Sequence, residues 1–294
     1  MTIRLILVPY HLGHRNVGLG AGPVRILDAG LAHVLDEAEH SVAVTTVELP
    51  EPPQHEIGAT FHLNRRLAGA VEDAVAAGEF PLILAGNCSS CIGTLAGVGG
   101  DVGLVWFDAH GDFNTPETSA SGFFDGMALN VAVGGSWSAA ASTVPGFKPV
   151  AQATCALLGV RDLDPGEQEL LERSEVLVAS YVDLHGGELE HEVNRCLDAV
   201  ANCTQDVYIH VDLDVLNRDL VPANEFSPPG GLTPTELRRA LGIVAKRFNV
   251  HAAALTAYNP EQDHKGLGLA AATAVIEQLA EIGERGRERS HCRV

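Results

Sequence analysis

Eight short apolar runs punctuate this chain, and several of them are unbroken rather than alternating. They lie near residues 3 to 9, 42 to 48, 80 to 84, 102 to 107, 154 to 160, 175 to 178, 206 to 211 and 251 to 257. A strand built wholly of Val, Ile, Leu and Ala has no face to give to water, so helices must cover it on both sides. Helix-like segments do separate the runs, and the alternation predicts an α/β fold around a mostly parallel sheet. Two of the runs end in acids. Leu104-Val-Trp-Phe-Asp-Ala-His-Gly-Asp-Phe-Asn114 carries Asp108, His110 and Asp112, and Val207-Tyr-Ile-His-Val-Asp-Leu-Asp214 carries Asp212 and Asp214. An extended chain turns residues i and i+2 to the same side, so each set is expected to converge by strand alternation. Grouped oxygen and imidazole donors of this kind suit a divalent metal ion.

Charge narrows the partners. The 294 residues include 19 basic and 38 acidic side chains, a formal charge of −19, which disfavours nucleic acid and anionic membrane surfaces. Metal cations or a small cationic substrate fit better, although surplus carboxylates also serve solubility. Apolar residues make up 46% of the chain, enough for a substantial core. The opening Met1-Thr-Ile-Arg-Leu-Ile-Leu-Val-Pro-Tyr10 lacks the apolar core and cleavage site of a signal peptide, and no apolar run approaches about 18 residues. A soluble cytoplasmic protein is expected. Six cysteines in so long a chain do not make a disulfide framework.

Gly18-Leu-Gly-Ala-Gly-Pro23 lacks the third glycine of a dinucleotide fingerprint and reads instead as the start of a helix over Val24 to Leu35, with Pro23 at its first position. A second helix is expected over residues 57 to 78, a surface connection over 134 to 150, and a fraying tail from Gly283 to Val294. After the strand ending at Leu84 comes Ala85-Gly-Asn-Cys-Ser-Ser-Cys91, with a helix expected from near Ser89. Three readings compete for Cys88 and Cys91. They are a thiol redox pair, two buried apolar cysteines, or, for Cys88, a metal ligand favoured by a helix N-terminus. His185, His191, His251 and His264 stand alone and read as surface or core histidines. His210, just before the second acid pair, is a candidate to support a ligand.

Taken together, several motifs resemble the ureohydrolase family of arginases and agmatinases. They are Asp108-Ala-His-Gly-Asp-Phe-Asn114, Asp212-Leu-Asp214 followed by Pro222-Ala and Gly230-Gly-Leu-Thr233, Asn259-Pro260, the Gly22-Pro23 helix start, and Gly159-Val-Arg-Asp-Leu-Asp-Pro-Gly-Glu167. They span nearly the whole chain in the right order. The resemblance implies one arginase-like domain over residues 1–294, a three-layer αβα fold around an eight-stranded sheet, and a binuclear manganese centre at the strand ends. It places Asp108, His110, Asp112, Asp212 and Asp214 on the metals. In such enzymes a hydroxide held between two ions attacks the guanidinium carbon, and a C–N bond breaks to release urea and an amine. Asp112 would carry the proton toward the leaving amine. Assembly as a trimer or hexamer is expected by the same resemblance.

Departures from the family bear on the substrate. Where the family has Gly-Gly-Asp-His, this chain has Ala85-Gly-Asn-Cys88, which puts a soft thiolate in place of a histidine ligand and shifts preference toward zinc or iron. Asp125 stands where arginases carry a proton-shuttling histidine; it is expected to relay protons or, alternatively, to cap a helix. Ala257 occupies the position of the glutamate that grips the guanidinium, which removes a bidentate partner. The amino-acid end is retained. Asn114 and Ser121 match positions that hold the substrate α-carboxylate, and Asp164 and Glu167 match those near the α-amino group, although both acids also suit the first turn of a helix. These departures point to a small guanidino, hydroxyguanidino or formimino amino acid, hydrolysed to urea or a related product plus an amine. The rivals are a non-catalytic protein of this fold with a structural or regulatory metal, and a Cys88/Cys91 redox protein.

Overall fold

A computed structural model describes residues 2–49, 55–185 and 188–291, with side chains as far as residue 286. All eight expected strands form: β1 Thr2–Val8, β2 Ser41–Thr46, β3 Phe80–Ala85, β4 Gly103–Phe107, β5 Cys155–Val160, β6 Leu177–Ser180, β7 Asp206–Asp212 and β8 Asn249–Thr256. They make one sheet in the order β2-β1-β3-β8-β7-β4-β5-β6, and every pairing is parallel. The inner strands are therefore covered by helices on both faces, which explains their unbroken apolar runs, whereas the edge strands β2 and β6 stay partly exposed. In β3, β4 and β5 every residue is buried, and each fully buried Leu, Ile or Val contributes about 1.5–3 kcal/mol.

Alternation divides the core in two. Leu5, Leu82, Val105, Ile209 and Ala253 face helices Leu31–Glu37, Leu189–Ala201, Pro234–Arg247 and Leu267–His291. Ile6, Ile83, Leu104, Trp106 and Tyr208 face Glu56–Ala76, Cys91–Val98 and Ala128–Ala132. The three-layer αβα architecture with an eight-stranded parallel sheet thus stands as expected.

Local boundaries differ in three places. The helix expected over Val24 to Leu35 is two helices, Gly22–Asp28 and Leu31–Glu37, because Gly30 takes a left-handed φ of 98° between them. The segment from Gly283 that was expected to fray continues the last helix to His291, and residues 292–294 lie outside the described residues. The Cys88–Ser90 segment is a single 3₁₀ turn before the helix Cys91–Val98.

The Gly18–Gly22 loop presses against the sheet. A Cβ on Gly86 would meet the Tyr10 carbonyl oxygen at 2.2 Å, and one on Gly20 would meet the Tyr10 backbone at 2.6 Å. Those glycines are there for backbone contact.

Register positions the site. Thr256 of β8 pairs with both Ala85 of β3 and Asp212 of β7, and Phe107 of β4 pairs with Val211 of β7. The carboxyl ends of the four central strands therefore lie in one row, the place where open parallel sheets bind ligands. Among the described residues no helix is long and apolar enough to cross a membrane.

Candidate metal centre

From that row the side chains converge. Asp108, the first residue after β4, is 1% exposed and held by two donors: the Trp106 indole N–H to Oδ2 at 2.9 Å and the His110 backbone N–H to Oδ1 at 2.7 Å. The His110 Nδ1 lies 3.4 Å from both Asp108 Oδ1 and Asp214 Oδ2. Asp212, the last residue of β7, accepts the Asp214 backbone N–H at 2.8 Å on Oδ1 and the Cys88 thiol at 3.0 Å on Oδ2. Two groups of side chains bring their donor atoms within 4.8 Å of one another: Cys88, Asp108 and Asp112, and Asp108, His110 and Asp214. They share Asp108.

The two acid clusters do meet, but not by the alternation expected of them. The strand β4 ends at Phe107, before any of its acids, and Asp112 reaches the cluster through a left-handed φ of 48°. Likewise Asp214 lies on a 3₁₀ turn beyond β7. Loop geometry, anchored where the Asp112 carbonyl accepts from the Asn130 N–H at 3.0 Å, makes the convergence.

Electrostatics mark the site as short of positive charge. Burial, then the neighbouring acids, pushes Asp112 and Asp212 well above the usual carboxylate range, and burial also raises Asp108 and takes the Cys88 thiol far up. Burial pushes Glu167 up to about 7. At His110 burial acts downward, yet the Asp214 and Asp108 carboxylates outweigh it and hold the imidazole pKa at about 10. The Oδ2 of Asp112 is buried with no protein partner.

A pH dependence follows. In protein stripped of divalent ions, the folded state keeps a proton on His110, and on the buried acids, that the unfolded chain releases. Stability is thus expected to fall as pH rises from 6.5, the ordinary histidine value, toward about 10, by at most about 1.4 kcal/mol per pH unit for each proton so held. His210, which burial takes down to about 3, acts with the opposite sign only below 6.5. Urea unfolding of chelator-treated protein between these limits checks it, and a rise in stability over that interval would contradict the charge arrangement.

Above the acids lies a cavity of about 200 Å³, lined by Cys88, His110, Asp112, Asn114, Ser121, Asp125, Asp164, Glu167, Asp212 and Asp214 together with Leu19, Phe123, Asn224, Phe226 and Ala257. Every residue expected on a metal, a proton relay or the substrate reaches this cavity or, as Asp108, lies buried beside residues that do. The Asn114 side-chain N–H donates to Asp164 Oδ2 at 3.1 Å. Glu167 accepts the Phe113 and Asp164 backbone N–H groups at 2.8 and 3.2 Å, which ties the loop of the first acid cluster to helix Pro165–Glu172. Asp125 accepts from the Asn87 amide and the Cys88 backbone N–H on one oxygen and from the Ser89 N–H on the other, at 2.7, 2.9 and 2.8 Å. It caps the turn that carries Cys88. His210 does not reach the cavity; it is wholly buried, stacked on Trp106 with ring centroids 3.7 Å apart. His251 pairs with Asp206 at a half-exposed position and His185 is exposed near Glu236.

Three contributors are not among the residues singled out from the sequence. Arg161 sends its guanidinium to the carbonyls of Asp214, Val215, Leu216, Pro228 and Pro229, clamping the loop after β7. Asn224 donates to Asp214 Oδ2 at 3.3 Å and to the Ala257 carbonyl at 2.8 Å. The Thr256 hydroxyl lies 3.1 Å from the Cys88 sulfur. Only Arg161, inside the Gly159–Glu167 motif, carried a signal in the sequence.

A parallel eight-stranded sheet with a cluster of metal-ligating side chains at its carboxyl ends is the arrangement shared with arginase structures, so the class is that of the ureohydrolases, hydrolases of linear amidines. A model of the Arginase family matches residues 1–280, and the chain belongs to that family. It is 29% identical to an arginase of Bacillus caldovelox over 96% of this chain and 98% of that one. The native crystal structure from the same organism superposes with a TM-score of 0.85 over 95% of this chain and 98% of that one. A Bacillus cereus arginase structure, 28% identical, gives 0.86 over the same shares. An agmatine ureohydrolase of Thermoplasma volcanium, 17% identical, shares the fold with a TM-score of 0.69 over 98% of this chain and 91% of that one.

Proposed function

We propose that this chain is a cytoplasmic, homo-oligomeric, metal-dependent hydrolase that cleaves a C–N bond in a small amino acid whose tail is a modified guanidine or amidine. The observation that carries the substrate reading is Ala257. It lines the cavity and, by the resemblance of Thr256-Ala-Tyr-Asn-Pro260 to the family motif, takes the position of the guanidinium-binding glutamate, while the residues matched to the amino-acid end remain. Without a bidentate carboxylate, an ordinary guanidinium loses its strongest partner. A hydroxyguanidino or formimino tail is less basic and depends on that partner less.

The side chains fit two divalent cations. Clustered buried acids raised by one another, and a buried Asp112 oxygen with no partner, are what such ions would relieve. Cys88, Asp108 and Asp112 would hold one ion and Asp108, His110 and Asp214 the other, with Asp212, which contacts the Cys88 sulfur, as a further ligand. Manganese is the family's usual metal, and the Cys88 sulfur favours zinc or iron. When bound, a pair of such ions supplies a water nucleophile near neutral pH. Asp112, through whichever carboxylate oxygen is left free of the ion, accepts a proton at the reacting centre and returns it to the leaving amine. Asn114 and Ser121 hold the substrate carboxylate, and Asp164 and Glu167 face its ammonium. The three N–H donors on Asp125 support a positioning role for it over the proton relay expected from the sequence.

The test is metal content by elemental analysis, followed by a product screen over arginine, its N-hydroxyguanidino derivative and a formimino amino acid. Two ions per chain and turnover on a modified tail are expected. Two ions without turnover on any of them would favour a structural or regulatory metal. No metal affinity, with a reversible Cys88–Cys91 disulfide, would favour redox chemistry.

A further inference from the structure

Next to Cys88, and not lining the cavity, lies a row of buried polar side chains that the chemistry above leaves unused. The Cys88 sulfur is 3.1 Å from Thr256 Oγ1, which is 3.3 Å from His210 Nε2, and His210 Nδ1 is 2.8 Å from the Tyr208 hydroxyl. Thr256 is 1% exposed, and His210 and Tyr208 are wholly buried. A hydrogen-bonded row of this length inside an apolar sheet face is expensive unless every member is satisfied. Trp106 fixes one member, lying flat on the His210 ring at 12°.

The direction of the row is decided at its sulfur end. A thiolate bound to a metal has no proton and can only accept, so the Thr256 hydroxyl must donate to it rather than to its alternative acceptor, the Val211 carbonyl at 3.4 Å. The threonine oxygen then accepts from His210 Nε2–H. A neutral imidazole with its proton on Nε2 has a bare Nδ1, which accepts from the Tyr208 O–H. Each group has one consistent role, and the proton positions all point toward the sulfur.

We infer that Thr256, backed by His210 and Tyr208, is a positioning residue that aims an O–H donor at the Cys88 sulfur and so tunes the thiolate this chain has in place of a histidine ligand. The inference rests on the reading of Cys88 as a metal ligand. A hydrogen bond to a coordinated thiolate withdraws electron density from sulfur, which restores to the ion some of the Lewis acidity that a thiolate removes. It also orients the sulfur, as outer partners orient metal ligands generally.

The experiment loads wild-type protein, Thr256→Val and Thr256→Ser with cobalt(II) and records the near-ultraviolet sulfur-to-cobalt charge-transfer band, then titrates metal affinity against a chelator. Thr256→Val is expected to move the band to longer wavelength and to weaken binding by about 10- to 100-fold, and Thr256→Ser, which keeps the hydroxyl, to resemble wild type. If the valine variant does not fold, Thr256→Ala serves, with circular dichroism as the check. A wild-type protein that binds cobalt with no sulfur band would overturn the ligand reading of Cys88. A wild-type band that neither valine nor alanine shifts, at unchanged affinity, would overturn the role of Thr256 alone.

Discussion

Asp212→Asn is expected to leave a folded protein that no longer retains two divalent ions and that loses turnover by about 10³-fold. The fold survives because asparagine keeps an oxygen for the Asp214 N–H that Oδ1 now accepts, and its amide can face the Cys88 sulfur where Oδ2 now accepts the thiol. Asp108→Asn is a poorer choice, since both Asp108 oxygens accept N–H groups and an amide nitrogen would oppose one of them. The loss in rate reflects the several kcal/mol that paired cations contribute to such reactions, about 4 kcal/mol for a thousandfold. A second readout carries the opposite sign. Removing one acid from the raised cluster is expected to make the metal-free protein more stable, not less, because it relieves repulsion among buried carboxylates. Elemental analysis, kcat/KM and melting temperature with and without chelator check the three parts. An Asp212→Asn enzyme with full metal content and full activity would remove Asp212 from the site.

How much of this could be read from the sequence depends on the physics behind each feature. The inner strands were legible because burial on both faces is written into composition: residues 80 to 85 and 155 to 160 have no polar side chain at all. The break at Gly30 was not, because one glycine inside a helical pattern is tolerated more often than it ends a helix. The acids were legible as a cluster while the reason for their meeting was not. Period-two alternation gave the right residues through the wrong geometry, since Asp112 depends on a left-handed backbone that no spacing encodes. Thr256 lay beyond reach for another reason. Its role follows from register, in that Thr256 opposes Asp212 across β7 and β8, and register between parallel strands joined by long crossovers leaves no local mark. Asp125 lay in between, with capping and relay both open until its amide donors were in view.

Ala257→Glu is expected to raise kcat/KM for unmodified arginine by about 10- to 150-fold, the equivalent of the 1.5–3 kcal/mol of a hydrogen bond to a charged partner. The position can take the change. Ala257 already has a left-handed φ of 62°, so the backbone strain of a side chain there is present in the protein as it stands. Its carbonyl is held by Asn224, and its Cβ borders the cavity. A glutamate grown from that point would enter a region already crowded with acids, where its charge is tolerable only opposite a cation. A guanidinium is such a cation, and a hydroxyguanidino or formimino tail is a weaker one, so the ratio of the two specificity constants should move toward arginine even where both rise. Urea release from arginine, measured beside product release from the modified substrate at equal metal loading, reads that ratio. If it does not move, the selectivity of this enzyme lies elsewhere, and the aromatic pair Phe123 and Phe226, stacked at the cavity wall with centroids 5.4 Å apart, becomes the next place to look.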